Sequence, residues 1–382
     1  MSYQPADLFF VAGEASGDLQ ASLLAGAARR LRPGTTIAGC GGAKLRSQGA
    51  HIAVDSSELA SIGPISVIPR IPLLYGILRW LDRSMRARPP RLYVAVDAGA
   101  FNMRLIKRLR RAGYTRPIIY YFPPGAWLDD ADQARAVAAM TTPLTPFAHQ
   151  RDFYRSLGLP VQFFGHPLVS VIEARAPRAP QAAPLIAVLP GSRAEEVARH
   201  VPVLAACARR LGPALSASFV AVAATDRRAE QIRALWRRAG GPDGLVISRQ
   251  DTTEVLRGCD LAWVASGTAV LEAALVGVPQ VMFYVVSAAQ FRLAKRWLPE
   301  SLLHSIALPN LVLGRRLVPE LLQSDFTPDR LTEETVRLLD QEADRERMRT
   351  GYEELRAALG PADALERNAT YVIERMEDAT TS

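Results

Sequence analysis

Two glycine-containing turns in the second half of the sequence carry residue types that bind a diphosphate. In the first turn, Pro190, Gly191, Ser192 and Arg193 lie between a short apolar run and a segment with helical periodicity. A glycine lets the backbone approach an anion, amides at a helix start donate to it, and an arginine can hold two phosphate oxygens. A plain strand-to-helix turn remains the alternative, with the two following glutamates serving only the helix dipole.

The second turn places small polar residues before a carboxylate. Ser266, Gly267 and Thr268 follow an apolar run, and Glu272 stands four residues after Thr268. Residues four apart share one helix face, so the hydroxyls suit phosphate while the carboxylate can accept two hydrogen bonds from a ribose diol. Because both turns lie in the same half, a nucleotide diphosphate site is favoured over two unrelated turns.

Carboxylates dominate the corresponding turns of the first half. Glu14, Ser16 and Asp18 follow the first apolar run, where acidic groups would repel phosphate and suit a hydroxyl-rich acceptor. A capping loop with Ser16 or Asp18 as the cap is equally compatible with this pattern. Asp97 ends another apolar run, with Asn102 five residues on, and is placed to remove a proton from an acceptor hydroxyl or to cap a loop.

These turns need strands and helices to position them. Short apolar runs alternate with helical segments, which predicts an α/β fold with two doubly wound parallel sheets. We expect an N-terminal domain at residues 1–172, a linker at 173–184, a second domain at 185–345, and a helical segment at 346–382 that packs back on the first domain. Ligands of such sheets bind at the carboxyl ends of the strands, so a cleft between the two halves is expected. His166, beside the linker, is a candidate catalytic group or a hinge residue bonded to backbone.

Composition excludes several classes of protein. The 382 residues are 49% hydrophobic and 22% charged, which is typical of globular proteins. A net charge of +8 favours anionic partners, but the basic residues are spread out and no nucleic-acid-binding motif is present. Three cysteines indicate neither a disulfide framework nor a zinc site. The sequence contains no signal peptide and no membrane-spanning stretch, so we expect a cytoplasmic protein that touches a membrane surface at most.

One segment has the composition of a membrane-surface element. Residues 65–91 combine Ile, Leu, Tyr and Trp80 with six arginines and a single acid, Asp82. Such a mixture favours contact with anionic headgroups, and a core helix with a solvated basic face is the alternative. Residues 291–303 show the same mixture. Contact with the inner face of the cytoplasmic membrane is therefore predicted, and a homo-oligomer is left open.

Together these residues carry a resemblance to a known family. The following blocks occur in this order along nearly the whole chain: AGEASGD, GCGG, KLRSQGA, VDAGAFN, YYFPPGAW, FFGHPLV, LPGSRAEEV, SGTAVLEAAL, LAKRW and LPNLVLGRRLVPELLQ. They resemble the lipid-A-disaccharide synthase family, which has the GT-B architecture of two Rossmann-like halves. That resemblance implies transfer from UDP-2,3-diacylglucosamine to 2,3-diacylglucosamine 1-phosphate (lipid X), with release of UDP.

The resemblance also assigns residues to roles. It implies that the nucleotide is surrounded by Arg193, Ser266, Gly267, Thr268, Glu272 and Asn310, with Gln323 nearby, and we add Gly191 and Ser192 from the first turn. It implies that Asp97 is needed for catalysis and that Glu14 and Ser16 line the acceptor side. We place Asn102 and Trp127 on the acceptor side as well. Neither a cofactor nor a metal is expected, because Arg193 and the helix starts can meet the charge on departing UDP.

Two acceptor-side motifs depart from the family pattern. Where the family has Asp-Ala-Pro-Asp-Phe-Asn, this chain has Ala100 in place of the second carboxylate. Residues 122–128 correspond to a run with two tryptophans, of which one is missing here. These departures keep open an enzyme using another UDP-sugar or acceptor, a sugar-nucleotide epimerase, and a noncatalytic nucleotide-sugar-binding module.

Overall fold

The computed structural model describes residues 1–59, 71–176, 181–297 and 300–381. The chain divides into two compact units. The first unit comprises Met1–Val171 with Leu359–Ser382, and the second comprises Ile172–Ala358. The C-terminal helix, at residues 364–381, therefore belongs to the first unit, although the whole second unit precedes it in the chain.

A parallel six-stranded sheet forms the first unit, with strand order β3-β2-β1-β4-β5-β6. Its strands are β1 (Leu8–Ala12), β2 (Ile37–Gly41), β3 (His51–Asp55), β4 (Leu92–Val96), β5 (Ile118–Tyr121) and β6 (Thr142–Leu144). β1 and β4 are buried along their whole length, as expected of central strands covered by helices on both faces.

Helices cover both faces of this sheet. They are α1 (Ala15–Leu31), α2 (Ala43–Ser47), α3 (Ser56–Leu59), α4 (Ile71–Ala87), α5 (Gly99–Arg111), α6 (Ala131–Met140), α7 (Ala148–Ser156), α8 (Leu168–Val171) and α18 (Ala364–Thr381). α18 packs on α1, and its Leu365, Val372 and Met376 join the same core cluster as Leu24. The C-terminal helix thus completes one face of the first unit.

A second parallel sheet, with order β12-β11-β10-β7-β8-β9, forms the second unit. Its strands are β7 (Leu185–Leu189), β8 (Ser218–Val222), β9 (Val246–Ser248), β10 (Leu261–Ala265), β11 (Gln280–Tyr284) and β12 (Glu320–Leu322). Its helices are α9 (Ala194–Leu215), α10 (Asp226–Arg238), α11 (Thr252–Gly258), α12 (Thr268–Val276), α13 (Ala288–Trp297), α14 (Glu300–His304), α15 (Leu308–Leu313), α16 (Pro328–Asp340) and α17 (Glu342–Leu359).

The predicted α/β class with two parallel sheets is confirmed. The apolar runs at residues 8–13, 92–97 and 118–122, and their counterparts in the second half, coincide with observed strands. The sequence does not reveal β2, β3, β6 and β12, because these strands carry glycine, proline or charged residues, and β6 and β12 are only three residues long. In β2, a Cβ on Gly39 would lie 2.1 Å from the carbonyl oxygen of Phe10, so close strand packing requires the glycine that hides the strand.

Candidate active site

Both sheets have a topological switch point, and the motif residues follow the strands that flank it. In each unit the second and third strands are added on one side of the first strand, and the fourth, fifth and sixth on its other side. The flanking strands are β1 and β4 in the first unit, and β7 and β10 in the second. They are paired in register, with Ala12 opposite Val96 and Leu189 opposite Val264. Ligands of doubly wound sheets bind outside such points.

After β7, the first glycine turn is held by an acidic residue of the following helix. Gly191 has φ +107°, and a Cβ there would lie 2.6 Å from Oε2 of Glu196. The Arg193 guanidinium donates to Glu196 Oε1 at 2.8 Å, and its backbone N–H donates to Oε2 at 3.2 Å. Ser192 is exposed. Glu196 therefore orients Arg193 and caps α9, a role beyond the dipole effect considered from sequence.

The second turn follows β10 and opens α12. Gly267 has φ +143°, Thr268 begins the helix, and Glu272 is almost fully buried one turn later. The Ser266 amide donates to the Phe283 carbonyl at 3.0 Å, which continues the ladder to β11. The two glycine turns thus follow adjacent strands and both begin helices, as a diphosphate site requires.

A buried histidine that the sequence does not reveal lies behind the first turn. His200 has no exposed surface, its Nδ1 donates to the Pro190 carbonyl at 2.8 Å, and the Val285 amide donates to its Nε2 at 3.2 Å. This pair of bonds requires the neutral tautomer with the proton on Nδ1. Burial lowers the pKa of His200, which favours the same neutral form. The sequence pattern of α9 could not predict this role, because both hydrogen-bond partners of His200 are backbone groups outside the helix.

Asn310 lies in α15, and Gln323 directly follows β12. The Asn310 amide accepts from the amides of Leu317 and Val318 at 2.8 Å each and donates to the Val318 carbonyl and to buried Glu320. An amide has two donors and two acceptor positions, so its own loop satisfies it completely. A direct contact of Asn310 with a nucleotide stays a prediction, whereas its structural role in this loop is evident.

The side chain of Gln323 is bonded to backbone in the same way. With its amide oriented to satisfy both ends, Gln323 donates to the Val286 carbonyl at 3.3 Å and accepts from the Val286 amide at 3.2 Å. Gln323 has φ +51° and follows β12, while Val286 follows β11. The bond therefore links the two loops next to the second glycine turn.

In the first unit, Asp97 follows β4 in a strained turn. Asp97 and Ala98 have φ +48° and +45°, which is unusual for residues other than glycine. Asp97 is an exposed residue. Its backbone carbonyl accepts hydrogen bonds from Asn102 Nδ2 at 2.9 Å and from the Tyr120 hydroxyl at 2.9 Å. Burial raises the pKa of Tyr120, so the phenol stays a donor.

Asn102 is completely buried beneath this turn. Its Nδ2 also donates to the Val11 carbonyl at 3.1 Å, and its Oδ1 accepts from the Tyr93 hydroxyl at 2.8 Å. We predicted Asn102 on the acceptor side, but the structure gives it no exposed surface for an acceptor. The amide instead joins the ends of β1 and β4 and positions Asp97.

The acidic loop after β1 lies against the Asp97 turn. A Cβ on Gly13 would be 2.7 Å from that of Ala98, so only glycine permits this approach. Glu14 is the residue before α1 and is partly exposed, as is Ser16 in its first turn. Asp18 is buried and accepts from three amides at the start of α2, the shortest from Gly42 at 2.6 Å. Asp18 therefore caps α2 and not α1.

Trp127 and His166 lie on the loops beyond β5 and β6. Trp127 is partly buried and stacks on His149 with ring centroids 5.0 Å apart. His166 is buried, its Nδ1 accepts from the Leu168 amide at 3.2 Å, and burial lowers its pKa to about 3. These contacts are the backbone bonds considered for His166, and the ring is neutral at physiological pH.

Comparison with known proteins identifies the family. A family model described as lipid-A-disaccharide synthetase matches residues 8–371. The chain belongs to this family. Lipid-A-disaccharide synthase from Myxococcus xanthus (strain DK1622) is 37% identical over 386 residues, covering 97% of each protein. The synthase from Anaeromyxobacter dehalogenans (strain 2CP-C) is 36% identical and covers 98% of this chain and 99% of that protein.

Solved structures show the same fold at low sequence identity. The calicheamicin glycosyltransferase CalG4 aligns with a TM-score of 0.58 at 17% identity, over 98% of this chain and 99% of that one. A UDP-GlcNAc 2-epimerase from Neisseria meningitidis, bound to UDP-GlcNAc, gives 0.62 at 12% identity, over 97% and 99%. These neighbours establish the GT-B fold, while membership of the lipid-A-disaccharide synthetase family makes the chain a glycosyltransferase of lipid A biosynthesis. The epimerase and noncatalytic alternatives are not favoured.

Helix α4 carries the described part of the predicted membrane segment, and residues 60–70, including Arg70, lie outside the described residues. α4 packs on the core through Ile77, Leu81 and Met85 but leaves Leu73 and Tyr75 exposed. Trp80 packs against the core beside Tyr3 and is not a surface anchor. None of the helices in the described ranges has the length and apolar character needed to cross a bilayer.

Proposed function

We propose that this member of the lipid-A-disaccharide synthetase family joins UDP-2,3-diacylglucosamine to 2,3-diacylglucosamine 1-phosphate, forming the disaccharide 1-phosphate and UDP. The observation that carries the proposal is the family match over residues 8–371, together with glycine turns after both strands at the switch point of the second sheet. Family membership gives the enzyme a UDP-sugar donor and a lipid-linked acceptor as its partners.

The proposed donor site lies on the second unit. Arg193 is held by Glu196 at the start of α9, and Ser266, Gly267 and Thr268 lie at the start of α12. Backbone amides at two helix starts and one guanidinium suit a diphosphate, whose negative charge increases as the sugar leaves. Glu272 is the proposed acceptor of hydrogen bonds from the ribose hydroxyls.

The support for Glu272 is its place one turn after Thr268, with its side chain almost completely buried. A carboxylate there is shielded from bulk water, which strengthens its hydrogen bonds to hydroxyl groups. Gly191 and Ser192 complete the proposed phosphate loop. Asn310 and Gln323 position neighbouring loops in this proposal, since their amides are bonded within the protein.

Asp97 is the proposed general base on the first unit. It takes the proton from the acceptor hydroxyl while the hydroxyl oxygen forms its bond to the anomeric carbon of the donor. The bond between that carbon and the diphosphate oxygen breaks in the same step, and UDP departs with the electron pair. Glu14 and Ser16 follow the neighbouring strand β1 and are proposed to contact the acceptor.

We also place α4 at the inner surface of the cytoplasmic membrane. Its exposed Ile71, Leu73 and Tyr75 would enter the headgroup region, while exposed Arg79 and Arg83 would meet anionic lipid. Both substrates carry acyl chains, so an enzyme that works beside the bilayer reaches them without extracting them into water.

An incubation of the purified chain with both substrates in detergent micelles tests the reaction. Mass spectrometry should detect the disaccharide 1-phosphate, and liquid chromatography should detect UDP in equal amount. Release of UDP without the disaccharide would mean that another acceptor or water is used, and the proposed reaction would be incorrect. Omission of the acceptor is the control.

A further inference from the structure

A half-exposed histidine and carboxylate and a partly buried tryptophan form a cluster that the proposed mechanism does not use. His149 Nε2 is 2.9 Å from Asp129 Oδ1, and both side chains are close to half exposed, at 45% and 47%. The imidazole also stacks on Trp127 with an angle of 18° between the rings. His149 and Asp129 have no counterpart among the motifs singled out in the sequence.

A buried neighbour links the two elements that carry the cluster. Gln150, which follows His149 in α7, is buried and donates to the carbonyls of Pro123 and Pro124 at 3.1 and 3.3 Å. Its Oε1 accepts from the Thr145 hydroxyl at 2.6 Å. One residue therefore fixes the start of α7 to the loop that carries Trp127 and Asp129. Side chains held in this way are suited to binding a ligand without further ordering.

Stability does not explain the cluster. A half-exposed polar pair of this kind contributes about 0–1 kcal/mol, because water competes for its hydrogen bond. Asp129 also has φ +47°, a conformation that costs a non-glycine residue on the order of 1 kcal/mol. Strain of this kind is concentrated at functional sites, and Asp97, Ala98 and Phe122 have the same left-handed backbone in neighbouring loops.

The chemistry of the cluster suits a sugar better than a phosphate. With Nε2 donating to the Asp129 carboxylate, a neutral imidazole presents Nδ1 as an acceptor for a hydroxyl proton. The carboxylate would repel an added anion. The partly exposed imidazole and indole rings offer aromatic surface for the C–H groups of a pyranose, and Trp127 Nε1–H is a further donor.

Its position favours the acceptor sugar. Trp127 follows β5 and His149 follows β6, while Asp97 follows β4 in the same sheet. Val96 pairs with Tyr121, and Tyr121 pairs with Leu144, so the three loops start from one edge. Two strand spacings separate β4 from β6, which is about 10 Å. A substituted hexose with its reacting hydroxyl at Asp97 would extend across that span.

We propose that His149, oriented by Asp129 and stacked on Trp127, forms a binding subsite for the acceptor sugar, in which Nδ1 accepts a hydrogen bond from a sugar hydroxyl. This inference rests on the proposed function, since it assigns specificity residues for the same acceptor. The subsite lies entirely within the first unit and leaves the donor site unchanged.

Steady-state kinetics with UDP-2,3-diacylglucosamine and 2,3-diacylglucosamine 1-phosphate test the subsite. His149→Ala and His149→Gln should raise the KM of the acceptor about tenfold, the effect of losing one good hydrogen bond. His149→Asn should raise it less, because the asparagine oxygen can replace Nδ1 while glutamine reaches only the position of Nε2. Asp129→Asn should weaken acceptor binding, and the KM of the donor should not change in any variant.

His51→Gln is the matched control, since His51 is another partly exposed histidine of the first unit, bonded to Ser2. Its acceptor KM should equal that of the wild type. An unchanged acceptor KM in His149→Ala, or an equal rise for donor and acceptor, would overturn the subsite. Equal effects of His149→Asn and His149→Gln would overturn the role of Nδ1.

A binding measurement separates this inference from the reaction itself. The ring C–H resonances of His149, identified by their loss in His149→Asn, should shift when 2,3-diacylglucosamine 1-phosphate in micelles is added. UDP and empty micelles should leave them in place. A shift without disaccharide formation would support the subsite and contradict the proposed reaction. Disaccharide formation without any shift would contradict the subsite and leave the reaction standing.

Discussion

The buried side-chain amide of Asn102 donates a 2.9 Å hydrogen bond to the backbone carbonyl of Asp97. The same amide nitrogen donates to Val11, so a single side chain connects the ends of β1 and β4 to the turn that carries the proposed base. Asp97 itself has a left-handed backbone. The direction of its carboxylate therefore depends on a residue that no substrate can touch.

Asn102→Ala should reduce both stability and turnover. Loss of the amide leaves buried carbonyls and the Tyr93 hydroxyl without their partner, which costs about 1–3 kcal/mol in the free energy of unfolding. Asn368→Ala is the control, because Asn368 is equally buried in the first unit and donates to the carbonyls of Gly165 and Ala364. Turnover per folded molecule should fall in Asn102→Ala alone. Equal turnover in the two variants would show that Asn102 does not position Asp97.

Asp97→Asn should nearly abolish transfer while leaving nucleotide binding intact. A positioned general base accelerates proton transfer by about 10²–10⁴-fold, and asparagine cannot accept the proton. Transfer rates at saturating substrate, with UDP affinity from calorimetry, provide the measurement. If UDP affinity fell together with transfer, Asp97 would have a structural role and the assignment as base would be wrong.

Arg193→Ala should weaken UDP binding by about 10- to 100-fold, since a hydrogen bond to a charged group contributes about 1.5–3 kcal/mol. Arg199→Ala is the matched control. Arg199 lies in α9, and its guanidinium pairs with Glu195 at 3.2 Å. Calorimetric titration with UDP compares the two. Normal UDP affinity in Arg193→Ala would remove this residue from the diphosphate site.

His200 should make the stability of the second unit depend on pH. Burial lowers its pKa in the folded state, so the unfolded chain binds the proton more readily below about pH 6.5. Protonation would also place a hydrogen on Nε2, opposite the Val285 amide that donates to it. The stabilising contribution is therefore present above that pH and declines as the pH falls toward the lowered pKa.

His200→Gln isolates this effect, because other titrating groups, including His166, are common to both proteins. Denaturant unfolding between pH 7.5 and 5 should show the wild type more stable at neutral pH, with a difference that shrinks on acidification. If the difference stayed constant over this range, His200 would bind protons equally in the folded and unfolded chains, and the prediction would be wrong. UDP affinity of the variant should also be lower, because the Pro190 carbonyl loses its donor.

The parts of the structure that sequence analysis predicted are those with local causes. Buried strands such as β1 and β10 are continuous apolar runs, and each glycine turn follows its strand directly. Because β7 and β10 are neighbours in the sheet, the two turns lie side by side. What could not be predicted depends on partners distant in sequence. His200 bonds a carbonyl and an amide in two different loops, Glu320 collects donors from residues 305–310, and Asp129 meets His149 across two elements.

Exposed apolar side chains of α4 should mediate binding to anionic membranes. Replacing Leu73 and Tyr75 together with serine should reduce binding to vesicles of phosphatidylglycerol and phosphatidylethanolamine by at least about tenfold, because each fully buried side chain of this size contributes about 1.5–3 kcal/mol. Co-sedimentation measures the effect.

Val246→Ser, at an exposed valine of β9 in the second unit, is the control and should bind as the wild type does. Binding of the wild type should also weaken with added salt, since arginines beside these residues meet charged headgroups. Unchanged sedimentation of the double variant would exclude α4 as the membrane contact.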